Sequence, residues 1–220
     1  MNRRETIAHW GIYALTDREM AGGQTHTEIG RQLIEGGVHV IQVRDKTTPY
    51  ETLLEDTQQL VSLARPRGVS IIVNDNPYLA RDADADGVHL GQNDCPVAIA
   101  RDIVGPDRLI GLSTHTRLQA LRAQTMSVDY VGLGPIFASQ TKPQSYLPLG
   151  LNTVRWAAAT LRIPFVAIGG ITEETIADVL AAGARHCAMV SALMKGDNIA
   201  TTAQHFVRLY DQIWQGDDFE

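Results

Sequence analysis

The chain is 220 residues long, with 44% hydrophobic residues, 20% charged residues and a formal net charge of −6. This composition is typical of a globular protein large enough to bury a substantial core, and no basic block or stripe suggests nucleic-acid binding. Cys95 and Cys187 belong to no C-x-x-C pair, which favours two reduced thiols over a disulfide framework or a zinc site.

Short apolar runs recur along the chain at fairly even intervals. We predict strands at residues 11–15, 39–43, 69–73, 87–90, 109–112, 130–133, 164–168 and 187–190. Segments with apolar residues at helical spacing lie between these runs, for example at residues 28–34, 53–64 and 176–181. Eight strands that alternate with about eight helices indicate parallel βαβ units closed into one (β/α)8 barrel, with residues 1–220 as a single domain. The alternative is a doubly wound open sheet, but no G-x-G-x-x-G motif follows the first strand.

The second predicted strand ends in an unusual group of polar side chains. Gln42, Arg44 and, if the strand continues, Lys46 project to one face, whereas Ile41 and Val43 project to the other. Two cations at the carboxyl end of a barrel strand indicate an anionic ligand, and both side-chain types suit phosphate.

Carboxylates follow the third and fourth strands. Asp75 comes after Val73-Asn74, and Asp94 closes the segment that begins at Gly91. Each aspartate alone fits a turn or a helix N-cap equally well. Because neighbouring strand ends meet in a barrel, the pair predicts a Mg²⁺ site completed by phosphate oxygens and water.

Further polar residues follow the remaining strands. Ser113 ends strand five, and His89 and His115 could act as bases, although structural roles fit them better. The segment 137–150 reads FASQTKPQSYLPLG and resembles a functional loop in which Ser139, Thr141 and Lys142 could close over an anion. Gly169-Gly170 after strand seven and Ser191 after strand eight fall where such barrels usually bind a monophosphate.

Taken together, these motifs resemble the thiamine-phosphate synthase family over nearly the whole chain. They are YALTD at 13–17, QVRDK at 42–46, VND at 73–75, GVHLGQND at 87–94, YVGLGPIF at 130–137, TK at 141–142, IGGI at 168–171 and VSA at 190–192. The resemblance implies a Mg²⁺-dependent condensation of a pyrimidine diphosphate with a thiazole phosphate by dissociative substitution.

The resemblance also implies residue roles. Catalytic roles fall to Arg44, Lys46 and Lys142, and the metal would be held by Asp75 and Asp94. The pyrimidine diphosphate would be bound by Gln42, Arg44, Lys46, Asn74, Ser113 and Lys142, and the thiazole phosphate by Gly170, Val190 and Ser191, with Ser139 and Thr141 beside it. Val43, Asp45 and Gln140 are also expected among the substrate-binding residues.

One departure concerns the loop after strand six, where the family commonly has P-T-x-T-K and this chain has Ala138-Ser139-Gln140-Thr141-Lys142. We expect retained activity with a looser loop and an altered thiazole affinity. The alternatives are a thiazole tautomerase of the same superfamily, another phosphate-binding barrel enzyme, and a phosphate-ligand sensor without catalysis. No stretch resembles a secretory signal or a membrane span, so we expect a cytoplasmic protein with small-molecule partners and no nucleic-acid or membrane partner. A homo-oligomer is compatible with the sequence.

Overall fold

The computed structural model describes residues 3–138, 146–196 and 198–216. Its strands are β1 (Ile12–Leu15), β2 (Val40–Val43), β3 (Ser70–Asn74), β4 (Gly87–Leu90), β5 (Leu109–Thr114), β6 (Tyr130–Leu133), β7 (Phe165–Ile168) and β8 (Cys187–Met189). The helices are α1 (Arg3–Ala8), α2 (His26–Glu35), α3 (Tyr50–Ala64), α4 (Pro77–Asp82), α5 (Val97–Val104), α6 (Arg117–Ala123), α7 (Leu151–Thr160), α8 (Glu173–Ala181), α9 (Ser191–Met194) and α10 (Ile199–Gly216), with a short 3-10 helix at Arg65–Arg67.

The eight strands form a closed barrel in which every neighbouring pair is parallel. β1 pairs with β2 on one side and with β8 on the other, so the described sheet has no free edge. The predicted (β/α)8 fold is confirmed, and all eight predicted strands are present within one or two residues of their predicted ends. The largest difference is β5, which continues two residues further and carries Ser113 within the strand.

Alternation along the strands divides the core into two layers. Ile41 and Val43 point outward and pack in the cluster that joins the barrel to its helices, together with Ile29 and Leu60. Inside the barrel lies a smaller cluster that includes Tyr13, Ile72, Leu109, Tyr130 and Val166. The predicted placement of Gln42 on the face opposite Ile41 and Val43 is therefore confirmed, and the structure shows that Gln42 faces the interior.

Local signals fix where several helices begin. Thr25 caps α2, because its hydroxyl accepts a hydrogen bond from the amide of Glu28 at 3.1 Å and the Glu28 carboxylate accepts one from the Thr25 amide at 2.8 Å. Thr116 caps α6 by accepting from the amide of Gln119, whereas Thr114 is buried and donates to the carbonyl of Gly132. Thr116 is therefore the N-cap of α6.

The amino-terminal end of the barrel is closed by α1 and by Trp10, two residues after the helix. Ile7 and Trp10 are buried inside the barrel cluster, and the Trp10 ring stacks on Tyr13 with ring centroids 5.5 Å apart. The Trp10 indole N–H donates a hydrogen bond to the Ser70 hydroxyl at 3.3 Å. With this end filled, a ligand can approach the barrel interior through the opposite end, where the strands finish. Within the described ranges, no helix has both the length and the apolar character needed to cross a membrane.

Candidate active site

The cations after β2 lie at the carboxyl end of the barrel, but not on a continued strand. β2 ends at Val43, so Arg44 already lies beyond the strand, and the condition under which alternation would place Lys46 is not met. The amide of Arg44 donates to the Thr16 hydroxyl at 3.2 Å, and its guanidinium lies 3.9 Å from the Asp17 carboxylate. These contacts hold Arg44 at the exit of β1 and β2, with its side chain 19% exposed.

Asp75 and Asp94 are brought together, as the sequence predicts. Lys46 Nζ lies 3.4 Å from Asp75 Oδ2, and Asp94 accepts a hydrogen bond from the amide of Gly91 at 2.6 Å. Burial and the neighbouring carboxylate of Asp94 raise the pKa of Asp75, while Lys46 opposes the shift. The cap of α4 is provided by Asn76, which accepts from the amides of Tyr78 and Leu79, so Asp75 has no capping role.

The backbone of Asp75 adopts a left-handed conformation with φ of 66°. A residue other than glycine pays a steric penalty there, and such strain is concentrated at functional sites. Among the described residues, no group of three or more histidine, cysteine, aspartate or glutamate side chains could hold a metal. Two carboxylates are nevertheless a normal protein contribution to a Mg²⁺ site whose other ligands are phosphate oxygens and water.

Asp45 belongs to a buried network behind the cations. Its carboxylate accepts hydrogen bonds from the amides of Thr47 and Thr48, and it lies 3.1 Å from Nε2 of His26. Burial opposes its ionisation, but these hydrogen bonds prevail and keep the pKa of Asp45 well below its usual range. Nδ1 of the buried His26 is 2.7 Å from the Thr16 hydroxyl, so the network joins the ends of β1 and β2.

This arrangement assigns Asp45 a structural task, and its direct contact with substrate stays a prediction. The same holds for Val43, whose side chain is buried in the outer layer and could offer a ligand only its backbone. Asn74 ends β3 beside His89 of β4 and is half-buried at the barrel mouth.

Inside the barrel, five side chains form a continuous hydrogen-bond chain. Gln42 Nε2 donates to the Tyr13 hydroxyl at 2.7 Å, and the Tyr13 hydroxyl is 3.0 Å from that of Tyr130. The Tyr130 hydroxyl is 3.0 Å from His89 Nδ1, and His89 Nε2 is 2.9 Å from the Ser113 hydroxyl. Two predicted ligand contacts, Gln42 and Ser113, are thereby joined across the barrel.

Burial determines the protonation states of the side chains in this hydrogen-bond chain. It lowers the pKa of His89 to about 4, so the ring is neutral at physiological pH, and it raises the pKa values of both tyrosines. The sequence reasoning favoured a structural role for His89 but missed Tyr13 and Tyr130. A polar aromatic residue at an inward position of a barrel strand was the signal that could have revealed them.

The segment after β6 is pinned at both ends. The amides of Leu149 and Gly150 donate to the carbonyls of Pro135 and Ile136 at 2.8 and 3.0 Å. His115 Nδ1 is 2.7 Å from the carbonyl of Gly134, a contact that supports a structural role for this histidine. The predicted site residues Ser139, Gln140, Thr141 and Lys142 lie outside the described residues.

The turns after β7 and β8 have the backbone that the sequence suggests. Gly169 and Gly170 both have positive φ, 100° and 66°, and a Cβ on Gly170 would lie 2.8 Å from the carbonyl oxygen of Ala138. Glycine is therefore required at this turn. Ser191 is the first residue of α9 and follows Val190, and the binding of an anion at these two strand ends stays a prediction.

A closed (β/α)8 barrel with cations, carboxylates and glycine turns gathered at its strand ends is the architecture of a barrel enzyme. A family model described as thiamine monophosphate synthase matches residues 12–193. The chain belongs to this family, and its relatives are enzymes of thiamine biosynthesis.

Individual relatives are similar over nearly their full length. A protein from Caldicellulosiruptor saccharolyticus named thiamine-phosphate synthase is 41% identical over 204 residues, which cover 93% of this chain and 91% of that protein. A protein of the same name from Chloroflexus aurantiacus is 42% identical over 202 residues, covering 90% and 93%. The solved structure of thiamine phosphate pyrophosphorylase from Pyrococcus furiosus superimposes with a TM-score of 0.85 at 30% identity and covers 96% of this chain and 98% of its own.

Proposed function

We propose that this chain is a Mg²⁺-dependent thiamine-phosphate synthase. Its substrates would be 4-amino-2-methyl-5-(diphosphooxymethyl)pyrimidine and 4-methyl-5-(2-phosphooxyethyl)thiazole, and its products thiamine phosphate and diphosphate. The observation that carries the proposal is the meeting of Lys46, Asp75 and Asp94 at the barrel mouth, with Arg44 directly after β2, in a member of this family.

The reaction requires stabilisation of a leaving group more than acid–base catalysis. The bond between the pyrimidine methylene carbon and the diphosphate oxygen breaks, and its electron pair leaves with the diphosphate. The thiazole nitrogen then uses its lone pair to form the new C–N bond. Arg44 and Lys46, with Lys142 from the loop, would neutralise the departing charge, which is the main electrostatic demand of this step.

Asp75 and Asp94 would hold the metal. Burial, together with the neighbouring carboxylate of Asp94, raises the pKa of Asp75, and a divalent cation held by both carboxylates would relieve the repulsion between them. When bound, Mg²⁺ would supply positive charge to the diphosphate oxygens. Lys46 would then have two partners, the carboxylate of Asp75 and the leaving group.

The second anion site would orient the thiazole. Amides near Gly170, Val190 and Ser191 are suited to bind its phosphate. We expect contributions from Ser139, Gln140 and Thr141 as well, which lie outside the described residues. Two fixed anion sites hold the reactants close together, which converts a bimolecular substitution into an effectively unimolecular step.

A thiazole tautomerase is the nearest alternative from the same superfamily. It would need an acid–base side chain and no diphosphate site. Among the described histidines at the strand ends, His26 lies in the Asp45 network, His89 lies in the hydrogen-bond chain and His115 contacts the Gly134 carbonyl. The retained cations and carboxylates therefore favour the synthase.

The decisive experiment combines both substrates with the purified protein and Mg²⁺ and quantifies thiamine phosphate and diphosphate. We expect equimolar products that disappear with EDTA and return when excess Mg²⁺ is added. Thiazole isomerisation without diphosphate release would instead establish the tautomerase. If neither reaction occurs while circular dichroism shows folded protein, the enzymatic proposal is wrong for these substrates.

We also propose that the whole chain acts as one catalytic domain on small-molecule substrates in the cytoplasm.

A further inference from the structure

The hydrogen-bond chain inside the barrel has a direction that follows from its two ends. An amide nitrogen can only donate, so Tyr13 accepts from Gln42 and its single proton is left for the bond to Tyr130. The proton of Tyr130 then lies on the bond to Nδ1 of His89. A neutral imidazole that accepts at Nδ1 carries its proton on Nε2, and this N–H donates to Ser113.

The result is a defined polarity at the barrel mouth. Because the Ser113 oxygen already accepts from His89, its own proton is left to donate toward a ligand. Because Gln42 donates through Nε2 to the Tyr13 hydroxyl, the oxygen of the same amide, Oε1, can act as an acceptor. A diphosphate requires donors and an exocyclic amine requires an acceptor, so this polarity matches both parts of a pyrimidine diphosphate.

Two glycines inside the barrel provide space for the hydrogen-bond chain where core side chains would otherwise pack. A Cβ on Gly111 would lie 2.2 Å from Tyr130 Cζ and 2.4 Å from His89 Nδ1. A Cβ on Gly132 would lie 3.1 Å from His89 Cε1. Interiors of such barrels are normally filled by branched aliphatic residues, so two glycines facing a polar pair indicate that the polar groups themselves are required.

We propose that Tyr13, Tyr130 and His89 are positioning residues whose directed hydrogen-bond chain presents Ser113 as a donor and Gln42 Oε1 as an acceptor to the pyrimidine diphosphate. The inference rests on the proposed synthase function for its ligand. The three residues touch no reacting atom and act through the two side chains at the ends of the chain.

The first test reads the tautomer of His89 directly. In protein labelled with ¹⁵N-histidine and free of substrate, we expect the His89 signal to show a protonated Nε2 and a bare Nδ1, with assignment from the His89→Gln variant. A proton on Nδ1 would reverse every bond in the chain and overturn the proposal. Because no substrate is present, this result is independent of whether the synthase assay succeeds.

The second test removes single hydroxyl groups. Tyr130→Phe and, separately, Tyr13→Phe should raise the KM for the pyrimidine diphosphate about tenfold, the usual cost of one buried hydrogen bond lost at a binding site. The KM for the thiazole phosphate should stay within twofold and kcat within threefold. Tyr210→Phe is the matched control, since the Tyr210 hydroxyl donates to the Arg185 carbonyl away from the mouth.

The outcomes separate the possible failures. Equal changes in both KM values would mean that the tyrosines act only on stability, and unchanged KM values would mean that the chain does not orient the ligand; either overturns the proposal. Thermal melting of each variant identifies one that does not fold, and the other tyrosine variant then carries the test. An inactive wild-type protein would contradict the synthase function itself while leaving the tautomer measurement interpretable.

Discussion

Replacing Asp75 with asparagine should separate activity from stability. Asparagine tolerates the left-handed backbone that Asp75 adopts at φ of 66°, so the substitution removes charge without straining the turn. In the folded protein, burial and Asp94 disfavour the ionised carboxyl, whereas its pair with Lys46 favours it. That pair is exposed on the lysine side, at 62%, and contributes at most about 0.5 kcal/mol.

The two effects nearly cancel, so the melting temperature of Asp75→Asn should stay equal to that of the wild type or rise by up to about 3 °C. Activity should behave differently, because the carboxylate is proposed to hold the metal. We expect kcat/KM to fall about 100-fold, which corresponds to about 2.7 kcal/mol of lost transition-state stabilisation.

Asp84→Asn provides a matched control. Asp84 is the other described non-glycine residue with positive φ, at 54°, but it precedes β4 at the opposite end of the barrel and pairs with Arg65 and Arg108 at 2.9 and 2.6 Å. Its loss should lower the melting temperature by about 1–4 °C, since the exposed pairs contribute about 0.5–1 kcal/mol together, and leave kcat unchanged.

Differential scanning fluorimetry with Mg²⁺ and inorganic diphosphate completes the assay. At 100 times its dissociation constant, the bound pair should stabilise the wild type and Asp84→Asn by about 2.7 kcal/mol, or about 5–10 °C, and Asp75→Asn by much less. Full activity of Asp75→Asn with unchanged Mg²⁺ dependence would refute the metal assignment. A large drop in its melting temperature would contradict the expectation that the cost of ionising Asp75 and its attraction to Lys46 nearly cancel.

Three further predictions concern other parts of the site. Gly170→Ala should raise the KM for the thiazole phosphate and destabilise the fold by about 1–3 kcal/mol, because the new Cβ would lie 2.8 Å from the Ala138 carbonyl oxygen at φ of 66°. Steady-state kinetics measure the KM and urea unfolding measures the stability, and an unchanged KM would contradict the phosphate site. Ser139→Thr, which restores the family residue in the loop, should leave kcat within about threefold, a barrier change below about 1 kcal/mol, and a larger change in single-turnover rate would show that the loop contact is misread. For Asp45, whose folded pKa is depressed, the stabilisation is complete above about pH 5 and declines as pH falls. The difference in unfolding free energy between wild type and Asp45→Asn should therefore shrink by about 1.3 kcal/mol from pH 6 to pH 3, and a constant difference would show that its hydrogen bonds do not favour the charged form.

The strands and the gathering of charged residues could be predicted because both depend on local patterns. Short β-branched runs define β1 to β8, and in a parallel barrel everything that follows a strand must arrive at the same end. Lys46 and Asp75 therefore meet even though β2 stops at Val43, which ends the alternation used to place Lys46. Their common location followed from topology, whereas the alternation of β2 does not extend to Lys46.

What the sequence could not show depends on distant side chains. The contacts of Asp45 with His26 and of His26 with Thr16 join three separate segments, so no spacing rule reveals that Asp45 faces this network. The link between Tyr13 and Tyr130 spans 117 residues and depends on the barrel being closed. Such roles require the register of the whole sheet, which single-segment patterns do not contain.

The Trp10 ring beneath Tyr13 has a consequence for how this protein is handled. Trp10 contacts both tyrosines of the hydrogen-bond chain, stacking on one and meeting the other edge-on with centroids 5.0 Å apart. Water that entered from the amino-terminal end of the barrel would compete for hydrogen bonds with both phenolic hydroxyl groups. The direction of the hydrogen-bond chain would then no longer be fixed. A tag or truncation that displaces α1 and Trp10 would therefore weaken the proposed binding of the pyrimidine diphosphate, although α1 lies at the opposite end of the barrel from the proposed site.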